Sequence, residues 1–306
     1  MSLDIAVLAL LAAACWGAGS PLSKLGMEHD GTPAQVALTV VTVSAALYWA
    51  GLFVGGTSLF ERAPWVLALF VATGLVSTAL ARLLTFAGID RLGSSVNSAG
   101  INTRPVWASV LAVVVLGETV TLQMAVGIGV TVAGLVALAV SDGGDRSGWS
   151  RYEFAIPLAA ALAYGVGNVV RRYAFTASSV TPLEGVALNE TAGIAGMVGY
   201  LLARSGSLAG FRERLRAPRR AYAFFAGSAV LNALALFVLF EALSRGPVVV
   251  VDPLSAPTSL FSILLTAVFL REVERVTRRV LVGAGLVIAG VVLITGPPVL
   301  TLTAAA

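Results

Sequence analysis

Ten stretches of predominantly apolar residues follow one another along this 306-residue chain, at 3–22, 34–54, 64–87, 94–116, 121–140, 153–173, 182–203, 221–243, 247–270 and 276–296. A hydrocarbon layer about 30 Å thick is crossed by about 20 apolar residues in helical form. The recurring length therefore predicts an all-α integral membrane protein with ten transmembrane helices. Charge agrees with this reading. Only 12% of the residues are charged, against about 25% in an ordinary soluble domain. The connectors are too short to bury a core of their own. The first run lacks a basic segment ahead of it and is followed by further runs, so it is expected to be a retained span rather than a signal peptide.

The connectors carry the helix breakers. Gly55-Gly56 and Pro64 bracket the second, Asp142-Gly143-Gly144-Asp145 follows the fifth run, and Gly296-Pro297-Pro298 ends the tenth. Thr32-Pro33 and Thr181-Pro182 open the second and seventh runs, where Pro suits a first helical turn. The connector between the seventh and eighth runs is the long, charged one, with Arg212, Glu213, Arg214, Arg216, Arg219 and Arg220.

A duplication is legible. Trp16-Gly17-Ala18-Gly19-Ser20 corresponds to Tyr164-Gly165-Val166-Gly167-Asn168 at an offset of 148, and Thr32-Pro33 to Thr181-Pro182 at 149. Later the offset is 156: Glu118-x-x-Thr121 with Glu274-x-x-Thr277, Gly127 and Gly129 with Gly283 and Gly285, and Ala133-Gly134 with Ala289-Gly290. A colinear series of matches defines two repeats, 1–141 and 149–297. Five spans per repeat is an odd number, so the second copy enters the membrane from the opposite face. Inverted repeats of this kind recur in secondary transporters, with the solute site near the midplane between them.

Connector charge sets the expected orientation. Fourteen of the 20 Lys and Arg residues fall in the connectors after odd-numbered spans: Lys24, Arg91, Arg146, Arg151, Arg204, Arg212, Arg214, Arg216, Arg219, Arg220, Arg271, Arg275, Arg278 and Arg279. Four fall on the other side, Arg62, Arg171, Arg172 and Arg245. The positive-inside rule then puts both termini outside the cytoplasm. The net charge of +4 reads as a topology signal, with no basic domain to present to nucleic acid.

Order, repetition and setting together resemble the EamA family of the drug/metabolite transporter superfamily, over essentially the whole chain. The residues that carry the resemblance are the aromatic-Gly-x-Gly helix opening each half, Arg104-Pro105-Val106-Trp107, and Glu-x-x-Thr followed by a Gly-rich last helix in both halves. The resemblance implies a cavity lined by helices one, three, four, six, eight and nine, with five and ten outside. It implies exporters of amino acids and other metabolites, or exchangers of organic phosphates and nucleotide sugars. Some related branches have cytosolic termini, opposite to the charge tally. Two features depart from the pattern: Arg82 stands where the third helix often has an aromatic, and Pro253 and Pro257 precede the position that would match Pro105.

Charged groups within spans cost about 2.5–3.5 kcal/mol each on insertion scales and ask for a partner or an aqueous cavity. Arg82 and Arg104 are therefore expected either to bind an anionic group of a solute through the planar guanidinium fork, or to lock helices through ion pairs with Glu190 or Glu241. Asn97 lies seven residues from Arg104 and would share its face. Ser94, Ser98 and Asn102 form a second polar row, and Asp252, Ser255, Ser259 and Ser262 a third. The alternative for the Ser residues is close helix packing. Trp16 and Tyr164, at equivalent positions, read as solute-facing aromatics or as core. Asn168, Asn232 and Asp252 complete the expected solute ligands. Glu190, mid-span beside Asn189, and Glu241 are the candidates for exchanging a coupling proton. The Gly-x-Gly pairs lie in apolar helices without a strand before them and are read as close helix contacts. Glu118 and Glu274 sit at interfacial turns as caps or anchors.

With one Cys, Cys15, and one His, His29, the sequence predicts no intramolecular disulfide, no Cys/His metal site and no cofactor. The expected function is secondary transport of a small anionic or zwitterionic organic solute across the plasma or inner membrane by alternating access. A proton partner and a homodimer are left open. Efflux of hydrophobic cations is the alternative within transport. An intramembrane enzyme is disfavoured by the absence of HExxH or a nucleophile elbow.

Overall fold

The computed structural model describes residues 3–56, 62–141, 150–269 and 278–296. Asp142–Asp145, Glu274 with Thr277, Pro297-Pro298, and the connector cations Arg146, Arg271 and Arg275 lie outside the described residues. The first half contains α1 (Leu3–Glu28), α2 (Pro33–Val54), a third span made of α3 (Pro64–Thr73), a π-helical segment (Gly74–Leu80) and α4 (Ala81–Leu92), a fourth made of α5 (Ser94–Ile101) and α6 (Arg104–Leu111) with a π-helical end (Ala112–Leu116), and α7 (Leu122–Ser141). The second half contains α8 (Ala155–Thr176), α9 (Pro182–Ser205), a surface helix α10 (Leu208–Arg214), α11 (Arg219–Arg245), a ninth span made of α12 (Val248–Ser255) and α13 (Thr258–Phe269), and α14 (Arg278–Thr295). Among the described residues nine helical stretches are long and apolar enough to cross a membrane, and a shorter apolar helix, Val280–Thr295, follows. Ten helices in two repeats of five result.

Four of the expected spans need correction. The first helix runs on to Glu28 and the sixth to Thr176, beyond the ends of their apolar runs. The fourth and ninth spans are interrupted, at Asn102-Thr103 and at Ala256-Pro257. Each break follows an eight-residue helix and lies next to a proline that cannot donate to the preceding turn. The two breaks are equivalent in the two halves.

Local chemistry explains the helix starts. Thr32 and Thr181 are N-caps with Pro at the first helical position, and each closes a capping box with the residue three further on. Gln35 Oε1 accepts from Thr32 N at 2.8 Å, and Glu184 Oε2 from Thr181 N at 2.6 Å. Both partners also reach across the bundle. Gln35 Nε2 donates to the Arg214 and Arg216 carbonyls, and Glu184 takes Arg62 Nε at 2.9 Å.

The inversion is visible in how equivalent helices meet. On α2 and α9, Trp49 Nε1 donates to Thr191 Oγ1 at 2.9 Å while Gly51 lies against Leu183, so the chains run in opposite senses. The fifth and tenth helices show the same relation with two-fold regularity. A Cβ on Gly134 would lie 2.7 Å from the Gly283 carbonyl, and one on Gly290 would lie 2.7 Å from the Gly127 carbonyl. Gly127 corresponds to Gly283, and Gly134 to Gly290, so the contacts Gly127–Gly290 and Gly134–Gly283 are a single contact made twice. Small residues at such crossings let membrane helices approach through dispersion and backbone contact. Gly129 and Gly285 have nothing within 4 Å of a built Cβ, which corrects the reading of all four as contacts.

Replacing Gly134 or Gly290 with Leu should therefore force α7 from α14 and cost about 1–3 kcal/mol, measured as thermal unfolding of the protein in lipid nanodiscs. Gly129→Leu and Gly285→Leu are expected to leave the melting temperature nearly unchanged.

Candidate functional site

At the centre, side chains from both halves form a continuous buried hydrogen-bond chain. Arg104, the first residue of α6, pairs with Asp252 on α12 at 3.2 Å and donates to Ser255 Oγ. Asp252 is fully buried, and its other oxygen accepts from Asn168 Nδ2 on α8. Asn168 Oδ1 accepts from Arg171 Nη1 at 2.8 Å, and Arg171 Nη2 reaches Asn189 Oδ1 at 2.9 Å and Ser77 Oγ. Asn189 Nδ2 donates to Thr78 Oγ1 at 2.8 Å and to Glu190 Oε1 at 3.2 Å. Ser77 and Thr78 lie in the π-helical segment of the third span. That extra residue per turn turns both hydroxyls towards α8 and α9, and such segments are frequent at functional sites.

Three buried atoms in this region have no hydrogen-bond partner: Arg82 Nη1, Arg171 Nε and Glu190 Oε2. A cavity of about 300 Å³ lies beside them, lined by Trp16, Ser77, Thr78, Arg82, Arg104, Tyr164, Asn168, Arg171, Glu190, Asn232 and Thr258 among others. In their ordinary ionised forms its charged groups are three guanidiniums, of Arg82, Arg104 and Arg171, against the carboxylates of Glu190 and Asp252. Glu190 is in the wall and Asp252 behind it, and the five groups together carry a formal excess of one positive charge. Through Trp16, Arg82, Thr85, Tyr164 and Asn232 the cavity joins a wider, more apolar vestibule of about 680 Å³. The vestibule runs towards Met27, Pro33 and Ile89, at the C-terminal ends of α1 and α4 and the N-terminus of α2. In the opposite direction the path is closed. Phe70, Phe175 and Phe240 pack ring to ring with centroids 5.2–6.3 Å apart, and the Arg171 guanidinium lies 4.9 Å over the Phe240 ring.

The structure brings most of the sequence-predicted residues to this cavity. Trp16 Nε1 donates to Asn232 Oδ1 at 3.0 Å, and Asn232 Nδ2 to Ser44 Oγ at 3.1 Å. Tyr164 Oη faces Thr85 Oγ1 at 3.5 Å. Trp16 and Tyr164 thus occupy equivalent walls. Asp252 sits behind the lining, as the anion that holds Arg104. Two residues are placed elsewhere. Glu241 pairs with Arg245 at 2.7 Å near the end of α11, away from the cavity. Asn97 packs against Gly88, its Oδ1 without a partner, and does not line the cavity. The shared face with Arg104 required an unbroken helix, and the interruption at Asn102-Thr103 removes it. Of the expected ion pairs, Arg104 meets Asp252 rather than Glu190 or Glu241. The seventh helix contributes Glu190 to the wall, and the second lines the vestibule, beyond the six helices expected. Arg171, expected as a connector charge from its place at the end of an apolar run, is instead a buried residue of the network. Its spacing of three from Asn168 and seven from Tyr164 was the available signal. Glu118 caps α12, accepting from Val248 N at 2.9 Å and Val249 N at 3.0 Å; a carboxylate there also meets the positive end of the helix dipole.

Breaking a buried ion pair by removing one partner strands the other charge, which costs about 3–5 kcal/mol. Asp252→Ala should lower stability by that amount in denaturant unfolding. The double variant Arg104→Ala with Asp252→Ala should lose clearly less than the sum of the two single variants, a non-additivity that coupled sites give.

Comparison with known proteins agrees with this architecture. A solved crystal structure superposes with a TM-score of 0.77 at 16% identity, over 95% of this chain and 98% of that one, which shows a shared fold. No curated protein matched the sequence. The profile of the EamA-like transporter family matches twice, at residues 4–140 and 152–296, and the chain is a member of that family.

Proposed function

We propose that the protein is a secondary transporter that carries a small organic anion or zwitterion, of about amino-acid size, across the plasma or inner membrane. The observation that carries this reading is Arg82: a buried guanidinium nitrogen without a hydrogen-bond partner, facing a polar cavity. Among the described residues Arg104 and Arg171 are engaged by Asp252, Asn168 and Asn189, whereas no side chain hydrogen-bonds Arg82. A solute carboxylate or phosphate would supply the missing acceptor through the guanidinium fork. About 300 Å³ is the lower end of small-molecule sites, which favours a compact solute. Trp16 and Tyr164 would hold its organic portion, and Asn232 its polar edge. The excess positive charge of these five groups argues against hydrophobic cations, and the family's transport role argues against an enzyme.

Glu190 is the proposed coupling group. Its Oε2 has no partner and its residue lines the same cavity as Arg82. The carboxylate could exchange a proton as the solute occupies or leaves Arg82. Alternating access would follow from rocking of one repeat against the other, with the Phe70–Phe175–Phe240 cluster as the closed gate and the vestibule as the open one.

Arg82→Gln should separate binding from folding. The variant is expected to fold as the parent does, because Arg82 Nη1 has no hydrogen-bond partner to lose. It should bind anionic or zwitterionic solutes at least tenfold more weakly, about 1.4 kcal/mol, in a thermal-shift panel of amino acids, organic phosphates and cationic drugs. Unchanged affinity, or a parent that responds only to hydrophobic cations, removes the proposal. For Glu190, proteoliposome uptake should rise with an imposed pH gradient in the parent, and Glu190→Gln should abolish that response. Uptake insensitive to the gradient in the parent would dispose of proton coupling.

A further inference from the structure

A second cavity, about 560 Å³, lies outside the central one, in the wedge between the N-terminus of α2, the end of α4 and the end of α9. The wedge exists because α9 packs along the third span as far as its π-helical segment and then parts from α4. Its chemistry is divided by depth. Leu83, Phe86, Met197 and Leu201 form an apolar floor, and Arg91, Arg204 and Arg214 stand at the exposed rim with Asp90 among them. Arg204 is in the last turn of α9, seven residues or about 10 Å along the axis from Met197. Arg204 and Arg214 are exposed, and neither makes an ion pair or a side-chain hydrogen bond among the described residues. Arg91 is already engaged by Glu153 at 3.8 Å.

Arg214 is held there by a built support. The buried Gln35 amide donates to the Arg214 and Arg216 carbonyls, both at 2.9 Å, and Tyr222 Oη donates to the Leu215 carbonyl. Three consecutive carbonyls, from the last residue of α10 onward, are thus tied to α2 and α11. The surface helix cannot swing away, and Arg214 stays over the wedge.

We infer that the wedge is a binding site for an anionic phospholipid, with its phosphate between Arg204 and Arg214 and an acyl chain on the Phe86–Met197–Leu201 floor. Arg204, at the end of a membrane helix, and Arg214, at the end of the surface helix, match the headgroup level, where cations are drawn to an anionic surface. A free phosphate or small organic anion would satisfy the rim and leave the floor uncovered, which is why a lipid is the better occupant. The site shares Pro33, Phe86 and Ile89 with the vestibule wall, so a bound lipid would buttress the mouth of the central cavity. It does not depend on which solute the protein carries.

The test compares melting temperatures of the full chain in nanodiscs of phosphatidylcholine alone and with phosphatidylglycerol added, alongside detergent-solubilised protein with inorganic phosphate. Phosphatidylglycerol should raise the melting temperature by several degrees and inorganic phosphate should not. The R204Q/R214Q double variant should lose the preference, and R212Q, which removes a neighbouring charge outside the wedge, should keep it. Equal stabilisation by phosphatidylcholine, a preference that survives in R204Q/R214Q, or its loss in R212Q would overturn the site. A shift produced by phosphate alone would reassign the rim to a soluble anion and equally overturn it.

Discussion

Arg104 and Asp252 come from opposite halves of the chain and meet at 3.2 Å in the middle of the bundle. Neither charge is tolerable there without the other, so the pair fixes how the two repeats face each other. The rest of the buried network extends from it. Asn168 accepts the geometry set by Asp252 and hands it to Arg171, and Arg171 orders Asn189 and the hydroxyls of the third span. In a medium that offers no water to an orphaned group, every such bond is a constraint on helix rotation and depth. Helix breaks at the same level in the fourth and ninth spans put Arg104, Asp252 and Ser255 next to backbone that no longer continues straight. Irregular backbone inside a membrane is tolerated where it is covered by protein or lines a cavity.

The same symmetry that holds the bundle together produces an asymmetric passage. Gly17 and Gly165 sit at equivalent places, the first against Phe261 and Thr258 of the broken ninth span, the second against Ala108 of the broken fourth. Trp16 and Tyr164 face each other's halves in the same way. Yet one end of the passage is wide, and the other is shut by three phenylalanines. Two copies of one fold thus occupy different conformations, the condition that an inverted-repeat transporter exchanges as it cycles.

The sequence made the architecture legible at the places where physics leaves few options. Run length gave the spans, the Thr-Pro pairs gave the starts of α2 and α9, and the order of matched motifs gave two copies whose odd span count requires inversion. It misled where a local rule was applied across a discontinuity. Asn97 and Arg104 share a face only on a straight helix, and Pro105 breaks it. Arg171 sits beside Arg172 at the end of an apolar run, and adjacent arginines there resemble an interfacial pair. Only Arg172 is one: it donates to the Leu243 and Ser244 carbonyls, while Arg171 turns inward by one residue's rotation, about 100° of helix. Glu190 was recognisable from its depth in an apolar run. Glu241 carried the same signal, and Arg245 one turn later was the sign of a local pair.

The proposed transport cycle requires one polar cavity to communicate with each side of the membrane in turn. Thr85 lines both the central cavity and the vestibule, which makes it the position to probe. With native Cys15 replaced by Ala and Thr85 by Cys, an impermeant thiol reagent should be added to either face of oriented proteoliposomes, with and without a transported solute. Modification from both faces, with solute shifting the ratio of the two rates, is the predicted result. Modification from a single face under every condition would describe a blind pocket and rule out that cycle.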